Sequence, residues 1–130
     1  MTGAIRSYED LDAWKHGMRA CECVYRATAA FPRDERFGLV SQLRRAAIAV
    51  PSNIAEGYGR GSTQEYLRFL RIARGSLYEV ETQLAIATGL GMSDGGACDD
   101  SLDATKECGR VLAGLIRSIE NKLNTQPARP

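Results

Sequence analysis

Arginine side chains are concentrated in the middle of the chain. Residues 33–75 carry eight arginines and no lysine against four acidic residues, whereas residues 76–130 carry five basic and eight acidic residues. Because a guanidinium binds phosphate or carboxylate through two parallel hydrogen bonds, this segment predicts an anion-binding surface. The candidate nucleic-acid-binding residues are Arg44, Arg45, Arg60, Arg68, Arg71 and Arg74. The alternative, left open by a net charge of only +1, is a solvated face on which the arginines pair with Glu56, Glu65, Glu79 or Glu81.

The other reactive side chains do not form a catalytic or metal-binding pattern. His16 is the single histidine, so histidine-based catalysis has few possible partners. Glu56, Glu79 and Glu81 lack the Glu-x-x-His motif that holds metal pairs in helical bundles. The four cysteines lack the spacing of a zinc or redox motif and are interpreted as buried small residues. We therefore expect no enzyme activity, no cofactor and no metal site.

The stretch from residue 41 to residue 61 organises the predicted elements around these arginines. Apolar side chains recur three and four residues apart from Val40 to Ile54, which predicts one helix. Pro51 interrupts its hydrogen bonding, so the helix should be kinked there. Asn53 and Glu56 are expected to stabilise the kink or a subunit contact, or else to form a solvated polar patch. The glycines of residues 57–61 follow a helix and not a strand, so they indicate a helix end and not a phosphate loop.

Similar spacing elsewhere predicts four helices and no strand. Their expected ranges are about 8–30, 36–57, 63–89 and 94–124, with loose termini. Propensity alone would start the last helix near Asp100, because two glycines precede it. Short connections make this an all-α, antiparallel, up-down-up-down four-helix bundle in a single domain of residues 1–130.

Apolar residues off the inward stripe of the third helix suggest a second copy of the chain. These residues are Leu67, Ile72 and Ile86, and we expect them at a homo-oligomer interface. The alternative is that they are isolated exposed apolar residues, which are normal.

No membrane segment or secretory signal is expected. The sequence has no apolar run near the roughly 20 residues that span a bilayer, and its first residues lack the apolar region of a signal peptide. The prediction is a cytoplasmic protein with no membrane partner.

Several motifs together resemble one bacterial family. They are Gln42-Leu-Arg-Arg-Ala46, Pro51-Ser-Asn-Ile-Ala-Glu-Gly57 with Arg60, Tyr8-Glu-Asp-Leu-Asp-Ala-Trp14, Phe31-Pro32, Phe69-Leu-Arg-Ile-Ala-Arg-Gly-Ser-Leu77 with Glu79, and residues 112–119. This pattern resembles the four-helix-bundle proteins encoded in 23S ribosomal RNA intervening sequences. That family is related to the accessory variability determinant of diversity-generating retroelements.

The resemblance carries its own expectations. It implies a start of the fourth helix at residue 94 with Ser93 as its N-cap, and a ring-shaped homopentamer. It also implies binding of RNA or DNA, or of a partner enzyme, through the six candidate arginines. Two functions follow from it: an oligomer that binds structured RNA through phosphate contacts, or a protein-interaction scaffold that binds no nucleic acid directly.

Overall fold

The computed structural model describes residues 3–93 and 96–125, which form four α-helices and two short 3₁₀ turns without any strand. The helices are α1 (Asp12–Thr28), α2 (Leu39–Tyr58), α3 (Thr63–Gly89) and α4 (Gly96–Asn124), and the 3₁₀ turns are Tyr8–Asp10 and Arg33–Glu35. The all-α prediction is confirmed, and α3 has the predicted bounds.

The four helices enclose one core as a bundle. Helix α1 packs against α2 and α4, and α3 packs against the same two helices, while the backbones of the diagonal pairs lie farther apart in the described residues. The buried side chains follow the apolar stripe of each helix, among them Val24, Leu43, Leu70 and Leu112, each fully buried. The four-helix-bundle prediction is confirmed.

Helix α1 is shorter than predicted at both ends. The Ser7 hydroxyl accepts a hydrogen bond from the Glu9 N–H at 3.1 Å, but it caps the 3₁₀ turn and not an α-helix. At the other end, the Thr28 hydroxyl donates to the Val24 carbonyl at 2.8 Å, and the α-helical hydrogen bonding stops there. Residues 8–11 and 29–30 were therefore wrongly predicted as α-helical.

Helix α2 continues through Pro51 without a break, but it starts at Leu39 and not at residue 36. Pro51 is buried against α1 at Gly17, where an added Cβ would lie 3.3 Å from Val50 Cγ1 and 3.4 Å from the Pro51 nitrogen. Asn53 donates its side-chain amide to the Ala49 carbonyl at 2.7 Å. Pro51 deprives the Ala47 carbonyl of its helical partner, but Asn53 binds the Ala49 carbonyl and so does not replace that partner.

Helices α2 and α3 approach each other closely at Gly57. A Cβ added there would lie 2.6 Å from the Cβ of Phe69 and 3.2 Å from the Tyr66 carbonyl oxygen, so the position requires glycine. Beyond it, Gly61 has a φ of 82°, which suits a residue without a side chain. The Ser62 hydroxyl then accepts from the Glu65 N–H at 3.1 Å and starts α3 as predicted.

Helix α4 is described from Gly96, and the predicted start at residue 94 lies outside the described residues. Ser93, the predicted N-cap, donates its hydroxyl to Cys98 Sγ at 3.1 Å. Cys98 and Cys108 are buried, and burial raises the pKa of the Cys108 thiol to about 12. In the part of the chain that the structure describes, no helix is both long and apolar enough to cross a membrane.

Candidate nucleic-acid interface

The six candidate arginines do not lie on one surface. Arg44 and Arg45 are in the second turn of α2, and Arg60 lies two residues beyond its end. At 1.5 Å per residue, roughly 20 Å of helix separates them along the axis. The prediction of one surface that includes all six arginines is therefore wrong, because α2 carries Arg45 and Arg60 to opposite ends of the bundle.

Arg60, Arg68 and Arg71 occupy the end of the bundle at the α2–α3 loop, and we call them the Arg68 surface. The guanidinium carbons of Arg60 and Arg68 lie 4.8 and 4.6 Å from the centre of the Phe69 ring. Phe69 is itself buried, at 6% exposure, so the two cations cover an aromatic ring at the edge of the core. This contact positions both guanidinium groups on one aromatic ring at the surface.

Each arginine of the Arg68 surface also pairs with a glutamate. Arg60 pairs with Glu56 at 3.0 Å, and Arg68 pairs with Glu65 at 2.8 Å. The hydrogen bond from Arg68 is the main cause that lowers the pKa of the Glu65 carboxyl. Arg71 reaches across to α4 and pairs with Glu120 at 2.8 Å. The alternative interpretation, in which the arginines pair with glutamates, is correct for Glu56 and Glu65 but did not include Glu120.

Arg44 has a structural position at the end of α1. Its Nε donates to the Thr28 hydroxyl at 2.9 Å, and its Nη2 donates to the Tyr25 carbonyl at 3.4 Å. The guanidinium carbon lies 4.4 Å from the centre of the Tyr25 ring. The Arg44 guanidinium thus binds backbone carbonyls at the C-terminal end of α1, where the helix dipole favours a positive charge. This stabilises the contact between α1 and α2.

Arg45 and Arg74 differ from these four. Arg45 is exposed and Arg74 is half-buried, and neither forms an ion pair in the described residues. The pairing with Glu79 that the alternative interpretation allowed is therefore not formed by either arginine in the described residues.

Two further arginines at the Arg44 end of the bundle were not among the predicted site residues. Arg33 and Arg36 line an open cavity of about 400 Å³ together with Arg44. They belong to the loop between α1 and α2, and no helical spacing links them to Arg44. The sequence signal that could have identified Arg33 and Arg36 is their position just before the start of α2.

Comparison with known families supplies the identity of this fold. The model of the 23S rRNA-intervening sequence protein family matches residues 9–114. The chain belongs to this family. All six candidate arginines of this 23S rRNA-intervening sequence protein lie within the match, whereas Glu120 lies beyond it. The relation to the retroelement determinant stays a prediction.

A solved structure shares the fold of this 23S rRNA-intervening sequence protein. It is a protein of unknown function from the S23 ribosomal protein family of Bacteroides thetaiotaomicron, similar at 16% identity with a TM-score of 0.66. The alignment covers 80% of this chain and 94% of that chain. Comparison with curated protein sequences gives no match.

The predicted oligomer residues of the 23S rRNA-intervening sequence protein separate into two groups. Leu67 is buried in the bundle core at 4% exposure, so its placement off the inward stripe was wrong. The reason is that α3 packs against both α2 and α4, which widens its buried face. Ile72 and Ile86 are exposed at 41% and 46%, as predicted.

One buried polar group next to the Arg68 surface has no partner. The Tyr66 hydroxyl is buried and forms no hydrogen bond within the described residues. Its ring meets that of Tyr58 edge-on at 6.0 Å. Burial, with a smaller effect of Tyr58, raises the pKa of Tyr66 to about 12.

Proposed function

We propose that this protein is a non-enzymatic, cytoplasmic RNA-binding bundle that contacts phosphates through the Arg68 surface. The observation that carries the proposal is the position of Arg60 and Arg68 on the ring of Phe69. Guanidinium groups that are already held on a buried ring lose less side-chain freedom when they bind phosphates. Contacts of this kind recognise the shape and charge of structured RNA without reading its bases.

The glutamates of the Arg68 surface do not prevent this binding. The side chains of the three ion pairs are 38–57% exposed. Exposed ion pairs contribute about 0–1 kcal/mol, since water competes for both charges. An RNA phosphate can therefore replace a glutamate carboxylate at small cost.

Binding of a structured RNA hairpin, followed by fluorescence anisotropy at several salt concentrations, tests the proposal. Affinity should fall steeply as salt rises, because bound phosphates release their counterions. A weaker salt dependence in an Arg60→Ala/Arg68→Ala variant would support the assignment of the surface. An absence of RNA affinity at physiological salt would reject it.

A second candidate function is a scaffold that binds an acidic partner protein. It is favoured by an apolar groove of about 580 Å³ that is lined by Leu67, Ile72 and Leu123 beside Arg68 and Arg71. Apolar contacts flanked by two guanidinium groups suit a helix with apolar and acidic residues. This function predicts no RNA affinity at physiological salt, so the same titration separates the two candidates.

We also propose a homo-oligomer, with the pentamer that the family resemblance implies. The exposed side chains of Ile72 and Ile86 support a contact between copies. Sedimentation equilibrium at micromolar concentration should give five times the monomer mass of 14.2 kDa. A single species at the monomer mass would reject the oligomer.

A further inference from the structure

Three arginines surround a cavity at the end of the bundle opposite the Arg68 surface. The cavity lies between the end of α1, the following 3₁₀ turn and the start of α2, and its volume is about 400 Å³. Arg33, Arg36 and Arg44 supply its cationic groups. We call it the Arg44 cavity. Its other lining residues are Thr28, Ala29, Phe31, Pro32 and Val40.

The positive charge of the Arg44 cavity is not neutralised by neighbouring carboxylates. No acidic residue lines it, and its three arginines form no ion pair among the residues that the structure describes. Glu35, in the same turn as Arg33, instead accepts a hydrogen bond from the Leu39 N–H at 3.3 Å. The Glu35 carboxylate is therefore hydrogen-bonded to the backbone at the start of α2. The arginines at residues 60, 68 and 71, by contrast, all pair with glutamates.

One of the three guanidinium groups has a defined support. Arg44 is fixed by the Thr28 hydroxyl and by the Tyr25 ring, which leaves its Nη1 without a hydrogen bond to the described residues. The guanidinium carbon of Arg36 lies 5.4 Å from the centre of the Phe37 ring, which is itself 88% exposed. A cation that is already positioned, as that of Arg44 is, loses less entropy when its ligand arrives.

The apolar lining indicates more than a bare anion. Ala29 and Pro32 supply its exposed apolar surface, whereas Phe31 and Val40, which also line it, are buried at 7% and 9% exposure. The volume falls in the range of about 300–1,000 Å³ that is typical of small-molecule sites. Guanidinium groups bind phosphate oxygens in pairs and also stack on the planes of bases.

We propose that the Arg44 cavity binds a nucleoside 5′-phosphate, with the phosphate on Arg33, Arg36 and Arg44 and the nucleoside against Ala29 and Pro32. This group occurs both in free nucleotides and at the 5′ end of RNA. The inference goes beyond the proposed function and does not depend on it, because the Arg68 surface lies at the other end of α2.

Isothermal titration with uridine 5′-monophosphate and with uridine tests the site. The monophosphate should bind saturably and uridine should not, because the phosphate supplies the charge. An Arg33→Ala/Arg36→Ala variant should bind the monophosphate at least about tenfold more weakly, since two charge-assisted contacts are lost. An Arg33→Lys/Arg36→Lys variant should lie in between, because lysine keeps the charge but not the paired hydrogen bonds.

A second pair of probes shows whether the nucleoside 5′-phosphate comes from a free nucleotide or from the 5′ end of RNA. A short oligoribonucleotide with a 5′-phosphate should bind better than the same oligonucleotide with a 5′-hydroxyl if the cavity accepts RNA ends. Tighter binding of the free monophosphate than of the phosphorylated oligonucleotide assigns the cavity to free nucleotides.

The matched control is Arg19→Ala/Arg26→Ala on α1, which removes the same charge from exposed positions that do not line the cavity. The proposal is overturned if neither phosphorylated probe binds, or if the Arg33/Arg36 variant binds as the wild type does. An equal loss in the control would also overturn it. An Arg60→Ala/Arg68→Ala variant should keep the monophosphate affinity. A failure of the RNA-binding proposal for the Arg68 surface can therefore be distinguished from a failure of the proposal for the Arg44 cavity.

Discussion

Arg71 of α3 and Glu120 of α4 form an ion pair with 2.8 Å between Nη2 and Oε2. Among the described residues it is the one ion pair that joins two helices, since the others lie three or four residues apart on one helix or at its end. The side chains are 49% and 38% exposed, so the pair contributes little to stability. Its main effect is to hold the Arg71 guanidinium in place and to neutralise it.

Replacement of this glutamate should strengthen RNA binding. In Glu120→Gln, Arg71 keeps its charge and loses its competing carboxylate, so affinity at low salt should rise while the free energy of unfolding changes by about 1 kcal/mol or less. The control is Glu107→Gln, which removes an equal charge from the Arg110 pair elsewhere on α4. Anisotropy and urea unfolding measure the two effects. Equal gains in both variants would indicate a general charge effect and not a local one.

Loss of two arginines from the Arg68 surface should change the salt dependence of RNA binding. Arg68→Ala/Arg71→Ala should reduce the slope of log affinity against log salt by about 2, one unit for each lost phosphate contact. Both side chains are exposed, so each should change stability by no more than about 0.5 kcal/mol. Arg19→Ala/Arg26→Ala is the equal-charge control. An unaltered slope in a folded Arg68/Arg71 variant would contradict the RNA proposal and favour the scaffold.

Gly57 should tolerate no side chain. Gly57→Ala places a methyl group 2.6 Å from Phe69 Cβ, so we expect a loss of about 1–3 kcal/mol in the free energy of unfolding. Gly75→Ala on α3 is the control, because no atom lies within 4 Å of its added Cβ. It should stabilise the helix by about 0.5–1 kcal/mol. Urea unfolding measures both, and similar values would refute the close approach.

Arg44 and Arg45 are adjacent in sequence but should differ in their effect on stability. Arg44→Ala removes the hydrogen bonds to Thr28 and Tyr25 and the contact with the Tyr25 ring, which should cost about 1–2 kcal/mol. Arg45→Ala should stay within about 0.5 kcal/mol, because that side chain is exposed. Thermal and urea unfolding test the difference. A larger loss for Arg45 would contradict the structural position of Arg44.

Tyr66 should make the fold sensitive to alkaline pH. Burial raises its pKa to about 12 from the ordinary 10, so the folded state keeps a proton that the unfolded state loses first. Its contribution to stability is therefore complete below pH 10 and is lost as pH rises towards 12. Tyr66→Phe should show a smaller fall of the melting temperature over this interval. An identical fall in both proteins would mean that the hydroxyl is accessible to water.

The features that the sequence predicted well depend on local patterns. Helix α3 has an unbroken alternation of apolar residues, an N-cap at Ser62 and a glycine at its end, so its bounds could be predicted directly. Helix α1 was predicted too long because Ser7 caps a 3₁₀ turn as readily as an α-helix, and because the Thr28 hydroxyl competes for backbone hydrogen bonds.

The features that could not be predicted depend on contacts between distant residues. Glu120 lies 49 residues from Arg71, and no spacing rule links them. The burial of Leu67 follows from the packing of α3 against two helices at once. Arg33 and Arg36 become candidate binding residues only because the loop between α1 and α2 folds so that they line a cavity with Arg44.

The up-down-up-down order has a practical consequence for labelled protein. With four antiparallel helices, the start of α1 and the end of α4 lie at the same end of the bundle as the α2–α3 loop. A fluorophore attached near either end of the described chain is therefore close to the Arg68 surface. The Arg44 cavity lies at the far end of α2, roughly 30 Å of helix away. Energy transfer from such a label can thus tell on which end of the bundle a bound RNA lies.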